Sequence, residues 1–486
     1  MKETRMEFQH YEDSRTDSLK LIEAARNQGP SQFWQGRRYS VSRMPKIATF
    51  IREKYDSEDY YPLVVSLGPY HHGHPSLRSG EEFKPRALKS FALDSGKHEG
   101  FWLDVVRHVT GDLRESYVEG STDKYDDDEF ARMMLQDACL AIMLMTEVIE
   151  DQDESLFKLL SEHLGMGAFL PMTRDLHVFE NQFPFWFLES MIYFRYGKDL
   201  GVDVVRKFLA KVSLVKPDDF EPINISSDDF GVDAPVHLVE ALQRLVVGER
   251  HEINPTSRIS SAIPSRLVIR ARKMCGYGVR LFGGTSKDYS GRDRDIEEQL
   301  VDSFHSITEL KAKGIHIGPS GGASCNDIKF HSSYLYGTLQ LPMFYATILT
   351  RPFYSNIIVY EMSPGSRGDV IVTPYVSFLK SMIQSPKDVK ELRNKGILTS
   401  VMGGDEEVMK LFHSIDTFGI DSSLAYGNVR AQIQKHYNSY TKTWVAEFFH
   451  SYFRSPWTVI ALIISFLLVC LTFTQTYFTI YPRGKN

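Results

Sequence analysis

DLHVFENQFPFWFLESMIYFRY, residues 175–196, is the densest aromatic stretch of the chain. Pro184 divides it, because proline lacks an amide donor and is tolerated in the first turn of a helix but not inside one. A helix is therefore expected from about Pro184, with Phe185, Leu188 and Ile192 on one face. A second marker is Ala138–Met145, ACLAIMLM, an unbroken apolar run. It is too short to cross a membrane and fits a helix buried on all sides.

Working outward, Leu63–Leu67 reads as a short apolar strand or extended segment ended by Gly68-Pro69, and Lys84–Val109 as helix. Glu119–Glu129 holds six acids and reads as a solvated loop, without the ligand spacing and glycine of a calcium loop. Residues 216–234 are acidic with prolines, an exposed loop. Pro235–Val247 is a short amphipathic helix, 248–262 a polar linker and Ile263–Lys273 a helix. Tyr277–Phe282, Gly314–Ile317, Lys329–Leu341 and Tyr354–Glu361 read as strands or extended pieces. Asp388–Lys395 and Glu406–Ile415 are helical, with Gly396 and Gly403-Gly404 as stops. Arg430–Phe453 is an aromatic-rich helix.

The C-terminal stretch Trp457–Phe478, WTVIALIISFLLVCLTFTQTYF, carries no charge. As a helix it rises about 33 Å, against a hydrocarbon core of about 30 Å. Trp457 and Phe478 are its expected boundary residues, and a single-pass transmembrane helix is the expectation. More Lys and Arg precede it than follow it, which favours a cytosolic body at the plasma membrane or an endomembrane. The N-terminus shows neither a secretory signal nor a myristoylation site.

The expected fold class is thus mainly α (α+β). It comprises a large helical body, a small mixed sheet in the second half, and one C-terminal transmembrane helix. The expected organisation is a polar arm over 1–40, a body over 41–455 with a possible sub-boundary near 248–262, the span over 456–481, and a short tail over 482–486.

Composition bounds the function. The 486 residues are 42% hydrophobic and 24% charged, an ordinary globular balance. A net charge of −6 argues against a dedicated nucleic-acid binder. Four cysteines without a CxxC pair form neither a disulfide framework nor a zinc ribbon.

Catalytic motifs fare no better. His71, His72 and His74 match no metal-ligand spacing, and neither His98-Glu99 nor His251-Glu252 continues into HExxH. Gly318–Cys325 lacks the lysine of a phosphate loop, and Pro319 removes an amide such a loop needs. Gly283–Ser286 is a turn by the same test. Cys139 and Cys325 could each be a nucleophile in principle, but Cys139 lies in the apolar run and reads as core. Glu180 and Glu189, separated by a proline, are not placed together by their spacing. No catalytic, cofactor-binding or metal residues are expected, no cofactor is implied, and an enzyme is not the expectation.

Several segments nonetheless occur in a distinctive order. They are Arg43-Met44-Pro45; Tyr61-Pro62 with Val65-Ser66-Leu67-Gly68-Pro69-Tyr70-His71-His72-Gly73; Lys84; Leu135-Gln136-Asp137-Ala138-Cys139; and Asp175-Leu176 with Phe179-Glu180-Asn181-Gln182-Phe183-Pro184-Phe185. Ile263-Pro264-Ser265, Gly278-Val279, Asp388-Val389 to Gly396-Ile397 and Pro456-Trp457 follow. In these the chain resembles the plant domain-of-unknown-function 247 family, the UPF0481 proteins. Ala138, Met44 and Arg266 depart from the family's common residues. The resemblance brings no catalytic residues or cofactor. It implies a membrane-associated plant protein, and in grasses some members are candidate pollen-side determinants of self-incompatibility. The function expected is a membrane-anchored recognition or signalling protein. It would have an unidentified protein partner, lipid contact through the C-terminal helix, and specificity in loops such as 119–129 and 216–233. A membrane-associated enzyme and a structural tether are the alternatives.

Overall fold

The computed structural model describes residues 43–54, 58–150, 154–212, 235–248, 304–439 apart from 323, 335, 365 and 367–369, and 456–480. The arm 1–40, the loop 216–233, most of the 248–262 linker, Ile263–Lys273 and Tyr277–Phe282 lie outside them.

The first half is helical. In chain order it runs α1 (Thr49–Lys54), α2 (Arg78–Asp94), α3 (Glu99–Arg107), α4 (Thr110–Glu115), α5 (Asp127–Glu150), α6 (Glu154–His163), α7 (Phe169–Asp175), α8 (Phe185–Tyr196), α9 (Lys198–Val212) and α10 (Leu238–Val247). At its centre is α5. Every residue of its apolar run Ala138–Met145 is buried, and α2, α3, α8 and α9 pack around it. The helix expected from Pro184 is α8, with Pro184 itself as N-cap. Its burial goes beyond the expected stripe: Trp186, Phe187 and Met191 are buried with Phe185, Leu188 and Ile192. Likewise α10, expected to be amphipathic, is buried at every residue but Arg244.

The helix expected over 84–109 is two helices, α2 and α3, parted at Gly96, whose φ of +67° suits glycine. The acidic stretch 119–129 is a loop only in part. Asp127, Asp128 and Glu129 form the first turn of α5, where carboxylates meet the positive end of the helix dipole, and Arg114 and Arg107 pair with the first two.

The second half is α11 (Ile307–Ala312), β1 (Ile315–Pro319), β2 (Lys329–Ser332), β3 (Gly337–Leu341), β4 (Phe344–Ala346), α12 (Thr350–Met362), α13 (Val372–Met382), α14 (Pro386–Asn394), β5 (Leu398–Ser400), α15 (Asp405–Ser414) and α16 (Ser423–Tyr437). The mixed sheet is present as expected. Strand order is β1-β3-β2, with β1 parallel and β2 antiparallel to β3, and β4 pairs β5 in parallel. Tyr354–Glu361 is a correction: it lies in helix α12, not in a strand. Its aromatic and β-branched residues suggest a strand, but the run is buried on every side, and a fully apolar run shows neither helical nor strand periodicity.

The halves share one core. Asn356 of α12 accepts the Phe179 amide at 2.8 Å and donates to the Asp59 carbonyl at 2.8 Å. Arg351 reaches Asp59 at 2.9 Å.

The C-terminal segment forms helix α17 (Pro456–Ile480), with Ile463, Phe466, Leu471 and Phe473 exposed. The transmembrane helix expected there is not upheld: among the described residues, no helix is long and apolar enough to cross a membrane. The side chains of Trp457 and Phe478, its expected boundaries, lie outside the described ones. The uninterrupted run whose side chains are described, 463–477, rises about 22 Å, short of a core of about 30 Å. Polar groups also interrupt it, and the hydroxyls of Ser465, Thr472, Thr474 and Thr476 donate to carbonyls four residues back.

The packing of α5 sets a direct test. Cys139 is fully buried, and burial pushes its thiol pKa well up. Cys139→Asp is expected to abolish cooperative unfolding, because an unpaired buried carboxylate costs several kcal/mol. A soluble variant with a normal denaturant transition would overturn the assignment of this helix to the core.

Candidate functional site

Residues 61–74 form no strand, so of the two expectations for Leu63–Leu67 the strand falls. Buried amides need partners, and here side chains supply them. The Asp175 carboxylate, at the end of α7, accepts the amides of Leu63, Val64 and Val65 at 2.8, 2.7 and 2.9 Å. Asn181 accepts the Leu67 amide at 2.6 Å and donates to the carbonyls of Val65 and Asp175, both at 3.0 Å. Asp137 of α5 accepts the Gly68 amide at 2.8 Å. Gly68 has φ +72°, and a Cβ there would sit 2.7 Å from the Tyr117 hydroxyl, so both backbone and space demand glycine.

A charged cluster lies against this segment. The fully buried Lys84 Nζ is 2.7 Å from Asp137 Oδ1, 2.8 and 2.9 Å from the Glu81 oxygens, and 2.9 Å from Ser66 Oγ. Ser66 Oγ also donates to Glu81, and His72 Nδ1 stands 3.1 Å from the other Glu81 oxygen. Burial pushes the Glu81 carboxyl up, but His72, Lys84 and Ser66 outweigh it and bring it down to about 2. Burial raises Asp137, opposed by the Lys84 charge and the Gly68 amide. Burial likewise lifts Asp175 to about 6, opposed by its three amides and Arg174.

Glu180 forms a second clamp. It accepts the Ile47 amide at 2.6 Å, pairs with Arg52 of α1, and lies 3.7 Å from His71 Nε2. One stretch of irregular chain is thus held by carboxylates and amides from α2, α5, α7 and the 176–184 loop.

This arrangement does not suit nucleophilic catalysis. Ser66 beside Lys84 has the makings of a serine–lysine pair, but that pair needs a neutral amine as base. Lys84 faces four acceptor oxygens from two carboxylates and a hydroxyl, which calls for an ammonium with its three donors. Ser66 is fully buried, and a Cβ at Gly80 of α2 would meet the Val64 carbonyl at 2.0 Å. The cavity lined by Leu67, Ala141, Asn181 and Leu238 has room for about one water.

The other sequence candidates are dispersed. His71 turns to Glu180 and Tyr61, His72 to Glu81, and His74 caps a short turn by accepting the Ser76 amide. Among the described residues, no group of three His, Cys, Asp or Glu could hold a metal ion. In Gly318–Cys325 the Ser320 amide is bound by the Leu341 carbonyl, and Cys325 is buried. Glu180 lies in the clamp and Glu189 in α8. His251 and Gly283–Ser286 lie outside the described residues. Sequence reasoning gave no role to Lys84, Asp137, Asp175 or Asn181. The available signal was a charge set in an apolar run, as Asp137 is just before ACLAIMLM.

Lys84, Asp137, Asp175, Glu180 and Asn181, which make these clamps with Glu81 and Arg52, are residues of the resemblance. A family model described as a plant protein of unknown function, DUF247, matches residues 44–471, and the chain belongs to that family. It is similar to a UPF0481 protein of Arabidopsis thaliana, 27% identical over 434 residues covering 86% of this chain and 82% of that protein. It is also similar to a putative UPF0481 protein of the same plant, 20% identical over 481 residues covering 87% and 88%. No solved structure matches.

Proposed function

We propose that this chain is a protein-recognition module whose helical body holds the 61–74 segment and its neighbours in one conformation for a partner. The observation that carries this reading is the investment of buried charge, in Lys84, Asp137, Asp175 and Glu180, in an irregular segment whose middle, Val65–Pro69, is buried and which reaches the surface at Leu63 and Gly73-His74. A buried ionic cluster is a poor source of stability and is better attested as a device for specifying one conformation. Loops held by a rigid scaffold are where binding residues concentrate, and preorganisation spares the ordering cost of association. The self-incompatibility role implied by the resemblance is one instance of this reading.

The test is a photo-crosslinking residue at exposed position 74, compared with one at Leu93, exposed on α2. In extract of the source tissue, position 74 is expected to give a discrete protein adduct and position 93 none. Equal labelling from both positions, or none from 74, would refute the reading. Turnover of a small molecule lost in Ser66→Ala would replace it with the enzyme alternative.

A further inference from the structure

Three tyrosines and four cationic or imidazole groups meet where α1 joins the 61–74 segment. Lys46 Nζ lies 4.4 Å from the centroid of Tyr70, and the Arg52 guanidinium 5.4 Å from that of Tyr61. Tyr61 in turn meets the His71 ring edge-on at 6.2 Å, and Tyr70 packs edge-on against Tyr117 at 5.4 Å. Lys46 and His74 are exposed, Arg52 is 37% exposed, and His71 is nearly buried. The apolar Phe50 and Leu63, two residues from Arg52 and Tyr61, are exposed as well.

The charge balance is one-sided. Glu180 is held beneath the surface by Arg52 and the Ile47 amide, and Glu81 by Lys84 and His72. Among the described residues, neither Lys46 nor His74 pairs with a carboxylate. Glu53 and Glu58 are the exposed acids nearest in sequence. Burial first, then its charged neighbours, lowers the His71 pKa to about 4, so His71 offers an uncharged ring beside Arg52. Cations fixed over tyrosine faces lose little freedom on binding, and arginine and tyrosine are favoured at the centres of interfaces.

We propose that this tyrosine-backed surface of Lys46, Arg52, His71 and His74 receives an acidic peptide segment of a partner protein, with Phe50 and Leu63 taking its apolar residues. The assignment rests on the recognition reading above and names its partner chemistry. Carboxylates of the segment bind Lys46, which has a ring contact but no carboxylate partner among the described residues, and share Arg52 with Glu180. Charge complementarity of this kind chiefly sets partner choice and association rate.

The probe is a fluorescein-labelled, glutamate-rich peptide containing two phenylalanines, followed by fluorescence anisotropy with the full chain. Its lysine-for-glutamate counterpart and phosphatidylserine vesicles are the comparison arms. Binding is expected for the acidic peptide and not the basic one, with affinity falling as salt rises. The double variant Lys46→Glu/His74→Glu is expected to weaken it by about tenfold or more, the loss of roughly 1.4 kcal/mol. Both positions are exposed, so the thermal midpoint should fall only slightly, by the loss of the His74 cap on its short turn, and Arg78→Glu, on an exposed helix position, serves as a charge control. Unchanged affinity in the double variant, equal binding of the basic peptide, or binding to vesicles alone would overturn the proposal. Should a protein adduct at position 74 persist while the acidic peptide fails to bind, the recognition reading survives and this partner chemistry falls.

Discussion

Lys84→Met is expected to lower the free energy of unfolding by about 3–5 kcal/mol, the range for removing one partner of a buried ion pair. The side chain is fully buried and shared between Asp137 at 2.7 Å and Glu81 at 2.8 Å. Without it Asp137 stands buried without its ammonium, since its other contact is one amide. The double variant Lys84→Met/Asp137→Leu separates the alternatives. If the pair serves conformation rather than stability, the double variant should recover much of the loss, because well-packed apolar replacements of buried ion pairs are often neutral or better. The Gly68 amide would lose its acceptor, so recovery should stop short by about 1 kcal/mol or more. Urea titration of the three proteins measures this. A single variant as stable as the parent would show that the cluster contributes nothing, and with it the structural basis for the recognition reading would go. Hydrogen exchange at Leu67 and Gly68 should accelerate in both variants, which reports on the segment itself.

That cluster also shows where sequence reading stops. The buried helix over Ala138–Met145 was legible because an unbroken apolar run has one stable place to go. The start of α8 was legible because proline marks a first turn. Over 63–67 the strand alternative failed, since an apolar run with β-branched members fits a strand, while its amides in fact bind Asp175 and Asn181 from more than a hundred residues away. Nothing local encodes a partner so distant. Tyr354–Glu361 misled for a related reason: burial on all sides erases the period that distinguishes helix from strand. At the C-terminus a charge-free stretch gave a helix but not a described span. Helix starts were obscure too. His74, His98 and His237 each cap a helical turn by accepting a backbone amide at Nδ1. Ser, Thr, Asp and Asn are the residues a reader looks for there.

Those imidazoles lead to the second large effect, a fall in stability between pH 6.5 and pH 4. His71, His177 and His237 each have a folded pKa lowered from 6.5 to about 4, chiefly by burial. Each is neutral in the folded chain across that window but protonated when unfolded. The unfolded state then binds more protons, so stability is fully present above pH 6.5 and is lost as pH falls towards 4. Each contributes at most about 3 kcal/mol. Asp175 works in the opposite sense. With its carboxyl raised from 3.8 to about 6, its contribution is present below pH 3.8 and lost as pH rises through 6, so it offsets about one histidine. Glu81, lowered from 4.5 to about 2, adds a further loss only below pH 4.5. Asp137 and Glu361, both raised by burial, oppose the histidines in the same sense as Asp175, so the net slope is smaller than three histidines alone would give. Urea midpoints measured from pH 7.5 to pH 5 at constant m-value read that balance. His237→Asn isolates one contributor, because asparagine still accepts the Glu240 amide as an N-cap but carries no titratable proton. Its midpoint should fall by about one proton less per pH unit than the parent's. An asparagine variant with the parent's slope would mean that His237 does not stay neutral in the core.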